Sequence, residues 1–356
     1  MKLNWKKCIS SLLVLGSIAA VIWIAFSNSE LEDAWAELGS LKLNWVLGIF
    51  ACWFCYMFFD AFGFWLYFRS EGFKISVGRT ITASLIGFYY SNITPSAAGG
   101  QPMQVNSLRK AGIPVGYGTL GATIRFICVQ FSISVISLVF WLCNRDFVAR
   151  QMGDMVWIIR VGWVVNFMGV PLVLMAAFQR KMIQRLAMGL IGLGVRLRLV
   201  KNREGVEAAV TSVLNTYHTA LRALLRKPGQ IILQVLCGFA GNLALFGSIY
   251  FVYHAFSFSG TPWYQLMTIS ALLYVSASAT PLPGASGAQE GGFLLFYRDI
   301  IPGDTIGLAL LVWRFFTYYL FLIVGVGMII LEKIIVAHER RKKALPKEKE
   351  GSLPPA

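Results

Sequence analysis

The chain has 356 residues, of which 56% are hydrophobic and 14% are charged, and its net charge is +15. So few charged side chains cannot cover the surface of a soluble protein, so a soluble domain is excluded and most of the chain is expected to face lipid. The basic residues lie between apolar stretches and form neither a basic domain nor a zinc-finger pattern. This distribution argues against nucleic-acid binding and favours loops that follow the positive-inside rule.

Six apolar stretches are long enough to cross a bilayer as helices, which takes ~20 residues each. The first follows a basic N-terminus and resembles a signal peptide, but it is long for one, so we expect an uncleaved span. The six predicted spans are residues 8–26, 45–68, 115–143, 156–178, 230–256 and 305–335.

Two further apolar segments, residues 79–110 and 262–297, are each interrupted by a turn rich in Gly and Pro. The turns read Thr94-Pro-Ser-Ala-Ala-Gly-Gly-Gln101 and Thr280-Pro-Leu-Pro-Gly-Ala-Ser-Gly-Ala-Gln-Glu290. The apolar flanks of each turn have about a dozen residues a side, against the ~20 that a crossing needs. We therefore predict two re-entrant pairs of half-helices, the first hairpin and the second hairpin, buried in protein or lining a wet cavity.

The same unit occurs twice along the chain, in residues 45–143 and again in residues 230–335. Arg125 follows Gln101 by 24 positions, and Arg314 follows Gln289 by 25 positions. Three predicted spans separate the hairpins, so the two hairpins enter from opposite faces. The sequence thus predicts an all-α polytopic membrane protein with about six full transmembrane helices and two re-entrant hairpins in an inverted repeat, typical of transporters with a site at the bilayer midplane.

Charge sets the predicted orientation. With the N-terminus inside, most Lys and Arg residues fall in cytoplasmic loops, and the acidic segment 30–37 falls outside. We expect a cell-membrane protein, in a bacterial plasma membrane, with both termini cytoplasmic. Residues 1–335 form one membrane domain, and 336–356 are a basic, disordered tail. A cytoplasmic linker, 179–228, contains an amphipathic helix that lies either at the membrane interface or on the protein's own inner face.

Arg125 and Arg314 are each predicted to lie near the midplane, ~15 Å deep at 1.5 Å per residue. An arginine there costs at least ~2.5–3.5 kcal/mol, which a bound anion or a carboxylate must offset. The planar guanidinium suits phosphate or carboxylate bidentately. The alternative is an internal ion pair with Asp60 or Glu290, the only two carboxylates that we place inside the membrane. Either carboxylate could also carry a proton or bind a cationic headgroup.

The two turns supply the remaining candidate substrate-binding residues. Their glycines permit positive φ and close backbone approach, and a half-helix that begins at the turn directs its N–H groups at the cavity. The alternative is tight helix packing through small residues. These candidates are Gly99, Gly100, Gly284, Gly287, Gln101, Gln104 and Gln289.

No cofactor or metal site is predicted. Cys52 and Cys55 have CxxC spacing, but they lie in a predicted span without a second pair or a nearby His. The chain has no GxxxxGK[ST] nucleotide-binding loop.

Two segments resemble the flippase-like transmembrane region of lysylphosphatidylglycerol synthases of the MprF type. They are Thr94-Pro-Ser-Ala-Ala-Gly-Gly-Gln-Pro-Met-Gln104, with Arg109, and Pro281-Leu-Pro-Gly-Ala-Ser-Gly-Ala-Gln-Glu290. The resemblance covers residues 1–335. It implies that the protein moves aminoacylated phosphatidylglycerol between leaflets, and that it has a role in lipid metabolism and antibiotic resistance. Relatives often carry Gly-Glu where this chain has Gly100-Gln101. Full-length relatives add a cytosolic domain that makes the lipid from aminoacyl-tRNA. Only ~20 residues follow the last span here, so we expect no lysyl transfer by this chain alone, whatever the family label.

The first functional interpretation is a lipid translocase for an anionic, zwitterionic or aminoacylated phospholipid, such as (lysyl-)phosphatidylglycerol, or a related lipid-linked phosphate. The alternatives are a secondary transporter of a small organic anion, the lysyltransferase itself, and a purely structural membrane partner. A membrane phospholipid is the expected partner, together with a second copy of the chain or a separate lipid-modifying enzyme.

Overall fold

The computed structural model describes residues 36–179, 203–278 and 280–344, with isolated residues between 16 and 191. The predicted first span, 8–26, lies almost wholly outside the described residues. Every regular element in the described part is helical, which confirms the predicted all-α class.

The described residues form twelve α-helices, numbered in chain order. Three-residue 3₁₀ turns occupy Pro95–Ala97, Gly153–Met155 and Pro283–Ala285, and a π-helical turn, Phe315–Tyr319, joins α11 to α12. The helices are α1 Leu43–Ser70, α2 Val77–Ile93, α3 Gly100–Lys110, α4 Val115–Cys143, α5 Arg145–Met152, α6 Val156–Phe178, α7 Arg203–Leu225, α8 Pro228–Ala255, α9 Trp263–Ala277, α10 Ala288–Tyr297, α11 Ile306–Arg314 and α12 Leu320–Ala344.

Four described helical segments are long and apolar enough to cross a membrane: Leu43–Ser70, Val115–Cys143, Pro228–Ala255 and Ile306–His338. They correspond to the predicted spans 45–68, 115–143, 230–256 and 305–335. The predicted span 156–178 is the helix α6, which carries Pro171 in its interior. The last helix continues to Ala344, past the predicted end of the span.

Each predicted hairpin is a pair of short helices. The first comprises α2, with 17 residues, and α3, with 11. The second comprises α9, with 15 residues, and α10, with 10. At 1.5 Å per residue, none of the four covers the ~30 Å of a hydrocarbon core. Each hairpin therefore returns to the face from which it entered.

Ion pairs identify one face of the molecule. Lys227, just before α8, pairs with Glu71, just after α1, at 2.7 Å. Lys110, at the end of the first hairpin, pairs with Glu332 of α12 at 2.5 Å. The first hairpin therefore opens onto this side, which we call the first-hairpin face.

Hydrogen bonds identify the opposite face. The Lys42 N–H, just before α1, donates to the carbonyl of Ala255 at the end of α8 at 3.4 Å. The Gln151 side chain of α5 donates to the carbonyl of Phe296 in the second hairpin at 3.2 Å. We call this side the second-hairpin face. The two hairpins thus enter from opposite sides, as the spacing predicts.

Close helix contacts depend on small residues. A Cβ atom at Gly48 of α1 would lie 2.1 Å from the Phe251 ring of α8. One at Gly162 of α6 would lie 2.4 Å from the carbonyl oxygen of Val275 in α9. Such contacts let backbones approach in a membrane, where apolar burial alone gives little drive for helix association.

The amphipathic helix α7 packs on the bundle through its C-terminal half. Tyr217, Ala220 and Leu224 are buried against the first-hairpin face, whereas Val206 in the N-terminal half is 36% exposed. For the C-terminal half, the structure favours packing on the protein's own surface over a location at the lipid interface.

Candidate functional site

The turns of the two hairpins touch each other at the centre of the molecule. The Ser96 N–H of the first turn donates to the Pro281 carbonyl of the second at 2.9 Å. The Tyr318 hydroxyl donates to the Asn92 carbonyl at 3.1 Å. The predicted inverted repeat therefore places its two turns tip to tip.

Both turns have the same backbone geometry directly after a proline. Ser96 and Ala97 have φ of 51° and 54°, and Gly284 and Ala285, which follow Pro283, have φ of 60° and 50°. Gly284 and Gly287 take up the positive φ that glycine permits, and φ of Gly287 is 87°.

Gly99 and Gly100 do not use the positive φ that glycine permits. Gly99 has φ of −81°, and Gly100 begins α3. The left-handed conformation is taken up earlier, beside the proline, and these two glycines serve close approach instead. A Cβ at Gly100 would lie 1.9 Å from the Ser91 hydroxyl, so α2 and α3 touch there.

The first arginine of the repeat forms an ion pair. Nη2 and Nε of Arg125 lie 2.7 and 3.3 Å from Oδ1 of Asp60. Oδ2 of the same carboxylate accepts a hydrogen bond from Ser84 of the first hairpin at 2.6 Å. Both charged residues are buried, and Nη1 of Arg125 has no hydrogen-bond partner among the described residues. The carboxylate therefore connects α4 to the first hairpin and leaves part of the guanidinium unsatisfied.

A cavity of about 520 Å³ adjoins this pair. It lies between α1, α4 and the first hairpin, and Phe126 in its wall is 41% exposed. Its lining includes the predicted site residues Asp60, Gly100, Gln101, Gln104 and Arg125. Cationic, anionic and amide groups thus line one cavity together with apolar side chains.

The second arginine is enclosed more tightly. Nη2 and Nε of Arg314 lie 2.5 and 2.6 Å from Oε1 of Glu290, and Nη2 also donates to the Gly284 carbonyl at 3.2 Å. Oε2 of Glu290 accepts the Gly287 N–H at 2.6 Å. The guanidinium carbon lies 4.7 Å from the centre of the Tyr318 ring. Arg314 is therefore held directly against the second turn.

The two half-sites differ in where the carboxylate of the ion pair comes from. When the turns are aligned on Pro95 and Pro283, Pro102 stands where the second hairpin has Glu290. The first hairpin instead caps the Gly99 N–H with the Thr94 hydroxyl, at 2.9 Å. Arg125 pairs with a carboxylate of α1, away from the turn, and the cavity lies beside the turn.

The structure thus divides the predicted site residues between two half-sites that meet at the turns. Gly99 lies beside Thr94 at the first turn, next to the cavity residues. Gln289 is buried, and its Oε1 has no partner among the described residues. The second half-site holds Gly284, Gly287, Gln289, Glu290 and Arg314.

The sequence interpretation missed a third buried carboxylate. Glu332 is 4% exposed, accepts a hydrogen bond from Ser107 and pairs with Lys110. Glu332 is thus a buried carboxylate in addition to Asp60 and Glu290. Glu332 falls inside the predicted span 305–335, so a carboxylate within an apolar stretch was the sequence feature that could have identified it. It ties α3 of the first hairpin to α12.

Comparisons with known proteins agree with this architecture. Residues 9–325 match the family described as the lysylphosphatidylglycerol synthase TM region, which contains both hairpins. A UPF0104 membrane protein of Archaeoglobus fulgidus is 26% identical, over 86% of this chain and 92% of its own length. Another, from Methanothermobacter thermautotrophicus, is 24% identical, over 89% of this chain and 94% of its own length. The chain is therefore a membrane protein that belongs to the lysylphosphatidylglycerol synthase transmembrane-region family.

Proposed function

We propose that this protein is a lipid translocase that moves a phosphate-bearing lipid headgroup between leaflets. The supporting observation is the cavity beside the first hairpin, where the buried Arg125 adjoins the exposed apolar Phe126 and its Nη1 has no partner in the described part of the chain. A phosphate diester supplies acceptor oxygens for the guanidinium, and its acyl chains can remain in the bilayer beside apolar side chains.

The headgroup competes with Asp60 for Arg125. Asp60 keeps the guanidinium neutralised when the cavity is empty, which avoids an isolated buried charge. An arriving phosphate can bind Nη1 and then share or take over the contacts of Asp60. Gln101 and Gln104 supply neutral hydrogen-bond donors in the same cavity.

Arg314 is the second station in this proposal. It lies on the other side of the contact between the two turns, already held by Glu290 and the Gly284 carbonyl. Separation of the turns would let the headgroup pass from Arg125 to Arg314. The repeat then provides one arginine for each leaflet, with alternate exposure of the two half-sites.

Leaflet exchange in proteoliposomes tests the proposal. Fluorescent phosphatidylglycerol, its lysyl form and a polyprenyl phosphate are followed for wild type, Arg125→Ala and Arg314→Ala. We expect exchange of at least one lipid by wild type and loss in both variants. Arg298→Ala is the matched control, because Arg298 is exposed and pairs with the exposed neighbouring Asp299 at 3.3 Å.

Folding is checked by elution profile and thermal unfolding of each variant. Loss of exchange in a folded variant supports the proposal. Wild-type liposomes that exchange no lipid, but take up a small organic anion, would overturn it in favour of a solute transporter.

A further inference from the structure

A groove of about 660 Å³ lies on the second-hairpin face, away from the two half-sites. It is formed where α4 ends, the short helix α5 crosses and α6 begins. Val148 and Met152 of α5 are buried, and Gln151 donates to the Phe296 carbonyl of the second hairpin. The floor of the groove is therefore fixed against the second hairpin.

Two guanidinium groups line this groove. Arg145 and Arg160 both contribute to it, and neither has a carboxylate partner among the described residues. The Arg145 guanidinium carbon lies 5.6 Å from the centre of the Trp141 ring, which orients that side chain. Asp146 is the one acidic residue in the lining. The groove thus has two positive charges and one negative charge.

Apolar side chains lead away from the groove along the outside of the bundle. Trp157, Val161 and Val164 of α6 are 62%, 48% and 56% exposed, at the i, i+4 and i+7 positions of one helix face. Leu142, in the groove lining, is 50% exposed. This stripe joins the charged end of the groove to the lipid-facing surface of a membrane-spanning helix.

We infer that the groove is a binding site for an anionic glycerophospholipid of the leaflet on the second-hairpin face. The phosphate lies between Arg145 and Arg160, where guanidinium groups bind phosphate bidentately. Hydroxyl groups of the headgroup donate to Asp146, and the acyl chains follow the stripe that begins at Trp157. A lipid with one negative charge neutralises the groove, whereas a zwitterionic lipid leaves its net charge unchanged. Charge balance therefore favours the anionic lipid.

This site is independent of translocation, because binding at equilibrium requires no movement between leaflets. The test measures lipids retained by the purified protein, by native mass spectrometry, after exchange into mixed micelles of phosphatidylglycerol, phosphatidylethanolamine and phosphatidylcholine. Wild type is expected to retain phosphatidylglycerol preferentially. Arg145→Gln and Arg160→Gln should each lower that preference about fivefold, because a basic residue near an anionic surface contributes ~1 kcal/mol to binding.

The matched control is Arg298→Gln, an exposed arginine on the same face outside the groove. It should keep the wild-type preference. Asp146→Asn removes the one negative charge of the lining while its amide oxygen still accepts the hydroxyl, so it should keep or raise the preference for phosphatidylglycerol. Equal retention of the three lipids by wild type would overturn the inference, as would an Arg145→Gln/Arg160→Gln double variant that keeps the preference. A preference for phosphatidylethanolamine that Asp146→Asn removes would assign the groove to an ammonium headgroup instead.

Discussion

At the scale of single residues, both intramembrane arginines are bound in one way. In each pair, Nε and Nη2 meet one oxygen of a carboxylate, and the other oxygen accepts a hydrogen bond from a hairpin: from Ser84 in the first half-site and from Gly287 in the second. Removing one partner of such a pair leaves a buried charge and typically costs ~3–5 kcal/mol. The carboxylates therefore hold the arginines and the hairpins together.

Gly284 is a residue where added volume should be costly. Its φ is 60°, and a Cβ would lie 2.1 Å from the Tyr318 ring. We expect Gly284→Ala to destabilise the protein by about 2 kcal/mol or more, from left-handed strain and overpacking. The shift is measured as a fall in melting temperature in detergent.

Gly303→Ala is the control for that substitution, because no atom lies within 4 Å of its added Cβ. It should melt within a degree or two of wild type. A Gly284→Ala protein as stable as this control would show that the second turn is not fixed against Tyr318.

The sequence predicts which charged residues are unusual but not how they pair. A charged residue inside an apolar span can be identified from its neighbours in sequence, and Asp60, Glu290 and both arginines were identified in this way. Their pairing depends on the distance between helices that are far apart in sequence. That Pro102 stands where the second hairpin has Glu290 appears only when the two turns are aligned.

At the scale of helices, the first hairpin is fastened at its outer end by Glu332. This carboxylate of α12 bonds to both Ser107 and Lys110 of α3. We expect Glu332→Gln to weaken that attachment. Relative to wild type, amide hydrogen exchange should therefore accelerate more in α3 than in α10. Hydrogen exchange by mass spectrometry measures both helices in one sample.

Lys333→Gln changes the neighbouring exposed residue and should leave the exchange of α3 unchanged. If Glu332→Gln accelerates both hairpins equally, the substitution acts on global stability and the specific attachment is refuted.

Helix positions were the most predictable feature of the fold. Long apolar runs must be helices in lipid, because every backbone polar group needs a partner there. The spans predicted at 115–143 and 156–178 coincide with α4 and α6 for this reason. The packing of α7 was not decided by its amphipathic pattern, because lipid headgroups and the protein's own surface accept the same apolar face.

At the scale of the whole molecule, the turns of the hairpins form a central contact. The Ser96 N–H donates to the Pro281 carbonyl at 2.9 Å, so cysteines at Ser96 and at Leu282, the residue after Pro281, test a disulfide across the contact. If headgroups pass between the turns, oxidation of a Ser96→Cys/Leu282→Cys protein should abolish leaflet exchange. Reduction should restore it.

Each single cysteine variant under the same oxidation serves as the control and should keep its exchange rate. Undiminished exchange through the cross-linked protein would show that the lipid takes a path outside the contact. The three predicted spans between the hairpins predicted entry from opposite faces, but the contact between the turns joins segments too distant in sequence for a local pattern to reveal.

The contact between the turns also bears on how an electrical potential acts on the protein. Because hairpins enter from both faces and meet in the centre, water that reaches the two half-sites would leave only a thin insulating layer. Most of the transmembrane voltage would then fall across that layer. A headgroup with one net charge would gain or lose ~2.3 kcal/mol for every 100 mV as it crosses, whereas a neutral zwitterion would feel no net force. The membrane potential would thereby set the direction in which an anionic lipid accumulates, without ATP.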